Sequence, residues 1–261
     1  MFAPYYLGID IGSTASKCVV VDAEGKVAGC GLHPSGAGTG GPQKAASAAL
    51  ADAGIGEDEV VASCATGYGR NLMEGVDAQV SELSCHARGA AALFPRVRTV
   101  IDIGGQDAKV LRVDERGRLV NFVMNDKCAA GTGRFLDVMA GVFGCEVGEL
   151  SALDERSEKV SPVSSTCTVF AESEVISKLS QGVPIPDVVA GVHASVAERA
   201  YGLARRAGVE PGVAMTGGVA LNSALRKRLE ERVGHPIAVS PLSQLAGALG
   251  AALIAREKAG A

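Results

Sequence analysis

Tryptophan is absent from this chain, and all aromatics together make up only 4% of its 261 residues. A core without large rings must be built from aliphatic and small side chains, and 47% hydrophobic content with 34 glycines supplies them. That balance predicts close backbone packing and many tight turns. No apolar stretch reaches membrane-spanning length before a charge interrupts it, which argues against a membrane span. There is no dense Lys/Arg run, and the net charge is -4; both argue against a nucleic-acid partner. The opening Met-Phe-Ala-Pro-Tyr-Tyr has no basic segment and no apolar segment of the secretory type, so a cytoplasmic location is expected. The seven cysteines are odd in number, irregularly spaced and form no CxxC. They do not read as a disulfide framework, so thiolate chemistry or burial is expected. Two nucleotide fingerprints are missing as well. No G-x-x-x-x-G-K-[ST] occurs, Gly12 opens no G-x-G-x-x-G, and Gly131-Thr132-Gly133 follows a loop instead of a strand.

What is present is a duplication. Residues 9–27 (IDIGSTASKCVVVDAEGKV) and 101–119 (IDIGGQDAKVLRVDERGRL) match without a gap at an offset of 92, with eight of nineteen positions identical. The shared residues are Ile9/Ile101, Asp10/Asp102, Ile11/Ile103, Gly12/Gly104, Lys17/Lys109, Val21/Val113, Asp22/Asp114 and Gly25/Gly117. Each copy reads as a strand ending in Asp-Ile-Gly, a small polar turn and a returning strand. An Asp-x-x-Gly hairpin then follows, with glycine where positive φ is required. A third strand (27–32 and 119–124) and a helix (42–53 and 134–142) complete each copy. Two βββα units predict two similar α/β domains with a ligand cleft between them.

The duplicated turns suit a nucleotide. Gly12, Ser13, Thr14, Ala15, Ser16 and Lys17 offer backbone N–H groups, hydroxyls and an ammonium, a set matched to a triphosphate. Gly104, Gly105, Gln106 and Asp107 offer a second such loop. Asp10 and Asp102, each at a strand end, suit hydrated Mg2+, and Gln106 is placed to orient an attacking water. A third glycine turn, Thr216-Gly217-Gly218 within 215–222, would let backbone approach adenine or ribose closely.

Two cysteines share a local design. Polar residues precede Cys128 (Asn125-Asp126-Lys127) and Cys167 (Ser164-Ser165-Thr166), and an amphipathic run follows each. Ser, Thr, Asn and Asp favour helix N-caps, and a thiol in a helix's first turn is favoured as a thiolate able to bind metal. These two thiols are therefore candidate iron–sulfur ligands. Four thiolates are the usual complement of a 4Fe-4S cluster, and a twofold dimer doubles two to four. The remaining cysteines, Cys18, Cys30, Cys64, Cys85 and Cys145, share no motif and read as small buried hydrophobes.

The runs LGIDIGSTASKCVVVD, TGYGRN (66–71), SELSCHARGA (81–90), DIGGQDAKV, FVMNDKCAAGTGRFLDVMA, SSTCTVFAESEVISKLSQG and TGGVALN resemble the activator components of 2-hydroxyacyl-CoA dehydratases. That group lies in a wider family with benzoyl-CoA reductase ATPase subunits. The resemblance covers nearly the whole chain. It implies two RNase-H-like domains of the actin, Hsp70 and sugar-kinase type. The first would be residues 1–94, completed by the C-terminal helix 243–258; the second would be 95–242. It also implies a homodimer holding one 4Fe-4S cluster on Cys128 and Cys167 of each chain. ATP or ADP with Mg2+ would sit on Ser13 to Lys17, Gln106, Gly217-Gly218 and Gln244. An electron would come from ferredoxin or flavodoxin and pass, driven by ATP hydrolysis, to the dehydratase component. A small-molecule kinase of the same fold explains the nucleotide loops but not the paired cysteines, as does an actin-like assembly protein. The ATPase subunit of an aryl-CoA reductase is the nearer alternative.

Overall fold

The computed structural model describes residues 4–125, 127–164 and 167–260. Asp126, ahead of Cys128, and the expected capping residues Ser165 and Thr166, ahead of Cys167, lie outside the described residues. The chain forms two compact units. Unit 1 is Met1–Arg98, Val113–Val120 and Ser240–Ala261; unit 2 is Thr99–Arg112 and Asn121–Val239.

Unit 1 contains β1 (Tyr5–Ile11), β2 (Ser16–Val21), β3 (Val27–His33), α1 (Gly41–Ala53), β4 (Val60–Thr66), β5 (Ala78–Gln79), α2 (Glu82–Leu93) and the last helix, α8 (Ala246–Lys258). The strands β6 (Thr99–Ile103), β7 (Ala108–Val113) and β8 (Leu119–Asn125) begin the second sheet. The helices α3 (Gly133–Phe143), α4 (Leu150–Asp154), α5 (Thr168–Ser180) and α6 (Ile185–Ala207) follow. The strand β9 (Val213–Thr216), helix α7 (Ser223–Val233) and strand β10 (Ile237–Ala238) complete unit 2. The two sheets have one topology: β3-β2-β1-β4-β5 and β8-β7-β6-β9-β10.

The repeat in the sequence is a repeat in hydrogen bonding. β1 pairs antiparallel with β2 so that Asp10 faces Lys17, and β6 pairs with β7 so that Asp102 faces Lys109. In the hairpins that follow, Asp22 Oδ1 accepts the N–H groups of Glu24 and Lys26, and Asp114 Oδ1 accepts those of Arg116 and Arg118. Gly25 and Gly117 close those turns at φ 80° and 72°. The match also runs further than a constant offset reveals. Asp10 pairs in parallel with Thr66 on β4, and Asp102 with Thr216 on β9. Each threonine is followed by a glycine at positive φ, Gly67 at 87° and Gly217 at 83°. A Cβ on Gly67 would stand 2.6 Å from the Ile11 carbonyl oxygen, and one on Gly217 would stand 2.3 Å from that of Ile103. TGYGRN and TGGVALN are thus equivalent turns, hidden in the sequence by insertions of different length.

Packing follows from the composition. Unit 2 buries Ile101, Ile103, Val110, Met139, Val188, Val192, Met215 and Leu225 around one fully buried ring, Phe135. In unit 1, α2 and α8 meet backbone to backbone. A Cβ on Gly89 would lie 1.8 Å from Ala246 O, and one on Gly250 would lie 1.8 Å from Cys85 O. The segment 57–61 is a 3-10 turn over Glu57–Glu59 followed by β4 from Val60. Three acidic residues in its first turn favour the helical start through the backbone dipoles. The short edge strand β5 carries no strong pattern and was not anticipated.

Two glycine substitutions test this packing in opposite directions. Gly89→Ala should separate α2 from α8 and destabilise the protein by about 2–3 kcal/mol, an overpacking cost. Gly202→Ala, in mid-α6 with open space around it, should stabilise by roughly 0.5–1 kcal/mol through helix propensity. Denaturant unfolding of both variants checks this; equal and small effects would contradict the backbone contact.

Candidate functional site

In unit 1 the Asp-Ile-Gly turn is tightly pinned. Gly12 N–H donates to Ala15 O at 3.1 Å, and the Lys17 ammonium lies 3.4 Å from Asp10 Oδ2. Ser13 and Thr14 stand exposed at its tip, whereas Ser16 is buried and donates its hydroxyl to Ser35 O at 2.8 Å. Of the hydroxyls expected to meet phosphate, Ser13 and Thr14 are therefore accessible, and Ser16 holds the strand to the 34–40 loop. That loop supports the turn from beneath. Ala37 N–H donates to Gly12 O at 2.9 Å, and a Cβ on Gly36 would collide with the Gly12 and Ser13 carbonyls. Gly247, at the start of α8, brings two further groups together. Its missing Cβ would sit 2.7 Å from His86 Nε2 and 2.9 Å from Asp10 Oδ2. His86 is thereby a site residue that sequence reasoning missed, although SELSCHARGA was singled out as a motif. Gln244 lies half-buried in the turn leading into α8. Arg70 donates to Gly67 O at 3.1 Å.

In unit 2 the equivalent turn is more deeply built. Lys109 is 1% exposed, lies 3.0 Å from Asp102 Oδ2 and also pairs with Asp107. Thr216 donates its hydroxyl to Asp102 Oδ1 at 2.6 Å. Both oxygens of Asp102 are thus engaged by the protein, which departs from the expectation of a carboxylate turned freely toward a metal. Burying a lysine is tolerable only with such pairing. Gln106 is exposed at the tip, flanked by the half-buried Gly104 and Gly105. Thr216, Gly217 and Gly218 stand beside this turn through the β6–β9 pairing.

The carbonyls of this turn bond to the segment carrying Cys128. Gly133 N–H donates to Gly104 O at 2.8 Å and Arg134 N–H to Gly105 O at 2.8 Å. The Thr132 hydroxyl lies 3.0 Å from Gly105 O and 2.6 Å from Ala129 O, so one proton serves two acceptors. Helix α3 has no side-chain N-cap; the turn's carbonyls satisfy donors that a helix start leaves unpaired.

All seven cysteines are free, and only Cys128 and Cys167 are exposed. Cys167 is the N-cap of α5, as expected for a thiol at a helix start. Cys128 is not in a first turn: it precedes the Thr132 N-cap of α3 by a short loop held by Asn125 Nδ2–H donating to Cys128 O at 3.2 Å. Glu174 accepts the backbone N–H of Ser164 at 3.1 Å and ties that residue to α5. Arg199 packs over Phe135, 5.5 Å from the ring centroid, and against Gly131. Burial lowers its proton affinity, and the nearby Cys128 thiol opposes that shift. Among the described residues no group of three or more His, Cys, Asp or Glu could hold a metal within one chain. Cys18 and Cys85 are pushed well above the usual thiol range, Cys18 by burial and Cys85 by its hydrogen bond to Cys64 and then burial. That fits their reading as core residues.

The chain is 54% identical over 256 residues to the (R)-2-hydroxyglutaryl-CoA dehydratase activating ATPase of Acidaminococcus fermentans, covering 98% of each. The solved activator of the 2-hydroxyisocaproyl-CoA dehydratase from Clostridium difficile, with bound ADPNP, is 49% identical with a TM-score of 0.95. The match covers 98% of this chain and 96% of that one. A ROK family glucokinase from Streptomyces griseus, 16% identical, shares the fold alone, with a TM-score of 0.55 over 97% of this chain and 99% of that one. The two-unit architecture is that of the actin, Hsp70 and sugar-kinase proteins. With a family model matched from residue 7 to residue 255, the chain belongs to the BadF/BadG/BcrA/BcrD ATPase family.

Proposed function

We propose that this protein is an ATP-driven, one-electron activator of a 2-hydroxyacyl-CoA dehydratase, working as a cytoplasmic homodimer with ferredoxin or flavodoxin as donor. The observation that carries this reading is the direct bonding of the Gly104-Gly105 turn to the segment after Cys128. It supplies a physical route from phosphate to thiol within one unit.

ATP is bound through Gly12 to Lys17, Gly104 to Gln106, Thr216 to Gly218, and Gln244. Asp10 holds the hydrated Mg2+, and Gln106 orients the attacking water. Asp102 acts through its neighbours, fixing the turn by way of Thr216 and Lys109. By the sequence repeat, the two nucleotide domains are residues 1–94 with helix 243–258, and residues 95–242; by packing, residues 95–98, 113–120 and 240–242 go with the first unit.

Cys128 and Cys167 fit one half of a 4Fe-4S site. They are the two exposed thiols, one caps a 13-residue helix, and a single chain offers only this pair. Four thiolates therefore require a second copy. The exposed Val169, Phe170 and Ile176 on α5, beside Cys167, supply an apolar surface for that copy. A cluster on these thiolates supplies storage for one electron. The α5 N-terminus stabilises negative charge at Cys167 through its dipole, and Arg199 places a positive charge near Cys128. When nucleotide shifts the Gly104-Gly105 turn, its carbonyls move the first turn of α3. The Thr132 proton then redistributes between Gly105 O and Ala129 O, repositioning the Cys128 loop. Hydrolysis of ATP makes the change directional.

Anaerobic Cys128→Ser and Cys167→Ser variants should each lose nearly all iron and sulfide while binding ADP as the parent does. Full iron content in either would refute the ligand assignment. Thr132→Val should keep ATP hydrolysis within a few-fold of the parent. It should also largely abolish the difference in iron-chelation rate between ATP-analogue and ADP states. A chelation difference as large as the parent's would exclude the Thr132 route.

A further inference from the structure

Behind the glycine turn of unit 2 lies a buried polar network that the proposed function leaves unexplained. It joins α4, α6 and α7. Asp154 is 5% exposed and His193 is fully buried. Asp154 Oδ2 stands 2.6 Å from His193 Nδ1 and accepts Arg228 Nε–H at 2.8 Å, while its other oxygen accepts from Arg228 Nη2. His193 Nε2 lies 3.0 Å from Asn222 Nδ2. Asn222 ends the turn that starts at Thr216, caps α7, and is bonded back into the turn by its N–H to Val219 O at 3.0 Å.

The proton positions follow from satisfaction alone. Asn222 Oδ1 faces two donors, the Leu225 N–H at 2.9 Å and the Ser151 hydroxyl at 2.8 Å. Its amide nitrogen therefore faces His193 and must donate. His193 Nε2 is the acceptor, so the ring is neutral, and its single proton sits on Nδ1 and is given to Asp154. Burial pushes the Asp154 carboxyl up, but the hydrogen bonds from Arg228 and His193, together with the guanidinium's charge, hold it below the usual carboxylate range. The donors and acceptors from Arg228 through Asp154, His193 and Asn222 to Ser151 thus form one connected chain.

We infer that Asp154, His193 and Arg228 are positioning residues for nucleoside recognition: they fix the imidazole tautomer that orients Asn222, and Asn222 fixes the Thr216–Leu221 turn. The inference rests on that turn receiving the nucleoside. It adds residues that touch no ligand and a selectivity: the relay grips the Val219–Asn222 end of the turn, whereas the phosphate turn is braced from the Thr216 end by the hydroxyl given to Asp102.

Asn222→Asp is the discriminating variant. Aspartate caps a helix as well as asparagine and keeps both acceptor bonds, but it turns an oxygen toward His193 Nε2. The ring must then take a second proton or lose its partner. His193→Phe removes the relay outright. ADP and pyrophosphate affinities by calorimetry, melting temperature, and imidazole 15N spectra are measured for each. In the parent, His193 should show one protonated and one bare nitrogen, and in Asn222→Asp two protonated ones. ADP should bind about tenfold more weakly to both variants, as for a lost buried hydrogen bond, with pyrophosphate affinity within twofold of the parent. Parent-like ADP binding by the folded variants, an equal loss of ADP and pyrophosphate, or a protonated Nε2 in the parent would overturn the relay. Gly218→Val separates the two levels. If it abolishes ADP binding while Asn222→Asp does not, the relay alone fails. If neither changes ADP binding, the nucleoside turn itself was misassigned and the relay falls with it.

Discussion

The carbonyls of Gly104 and Gly105 carry more of this structure's logic than any side chain does. A helix start leaves backbone donors unpaired, and the usual remedy is a side-chain cap. Helix α3 has none: the Thr132 hydroxyl faces Gly105 O and Ala129 O instead, and the Gly133 and Arg134 donors are met by the phosphate-type turn. Because leaving such groups unpaired costs about 1–3 kcal/mol each, the turn and the helix start are bound to move together. A change in the turn is thereby a change at the base of the Cys128 loop.

A corresponding tie exists in unit 1, at the equivalent turn of the repeat. There Gly12 O accepts the N–H of Ala37, from the loop between the third strand and the first helix of that unit. The Cys128 loop occupies the corresponding place in unit 2. One copy of the contact carries a Gly-rich loop and the other carries a thiol. The Asp–Lys pairs diverge in parallel: Lys17 keeps partial solvent access beside Asp10, while Lys109 is sealed between Asp102 and Asp107. Both carboxylates are buried; unit 1 leaves its lysine partly open, and unit 2 has turned its pair into a sealed brace.

Much of this was legible in the residues. The ungapped repeat predicted paired βββα units because identical Asp, Lys and Gly residues recur where strands must end, pair and turn. The cysteine contexts distinguished Cys128 and Cys167 from the five thiols that the fold partly or wholly buries. What escaped depends on contacts distant in sequence. The equivalence of Thr66-Gly67 and Thr216-Gly217 is masked by unequal insertions. The role of Ser16 is decided by Ser35, and that of Asp102 by Thr216, more than 100 residues away. His86 and Asp10 both border the space beside Gly247 of α8, which a side chain there would fill. Cys128 lies outside a helix because the turn's carbonyls, not a capping side chain, set where α3 begins.

Backbone hydrogen exchange at Gly133 and Arg134 tests the central claim most directly, since those two amides are the bonds between turn and cysteine segment. The anaerobic holoprotein should show distinct protection of these amides in its ATP-analogue and ADP states, with residues 127–132 changing alongside them. Identical exchange at both amides in the two states, with nucleotide demonstrably bound, would contradict the account.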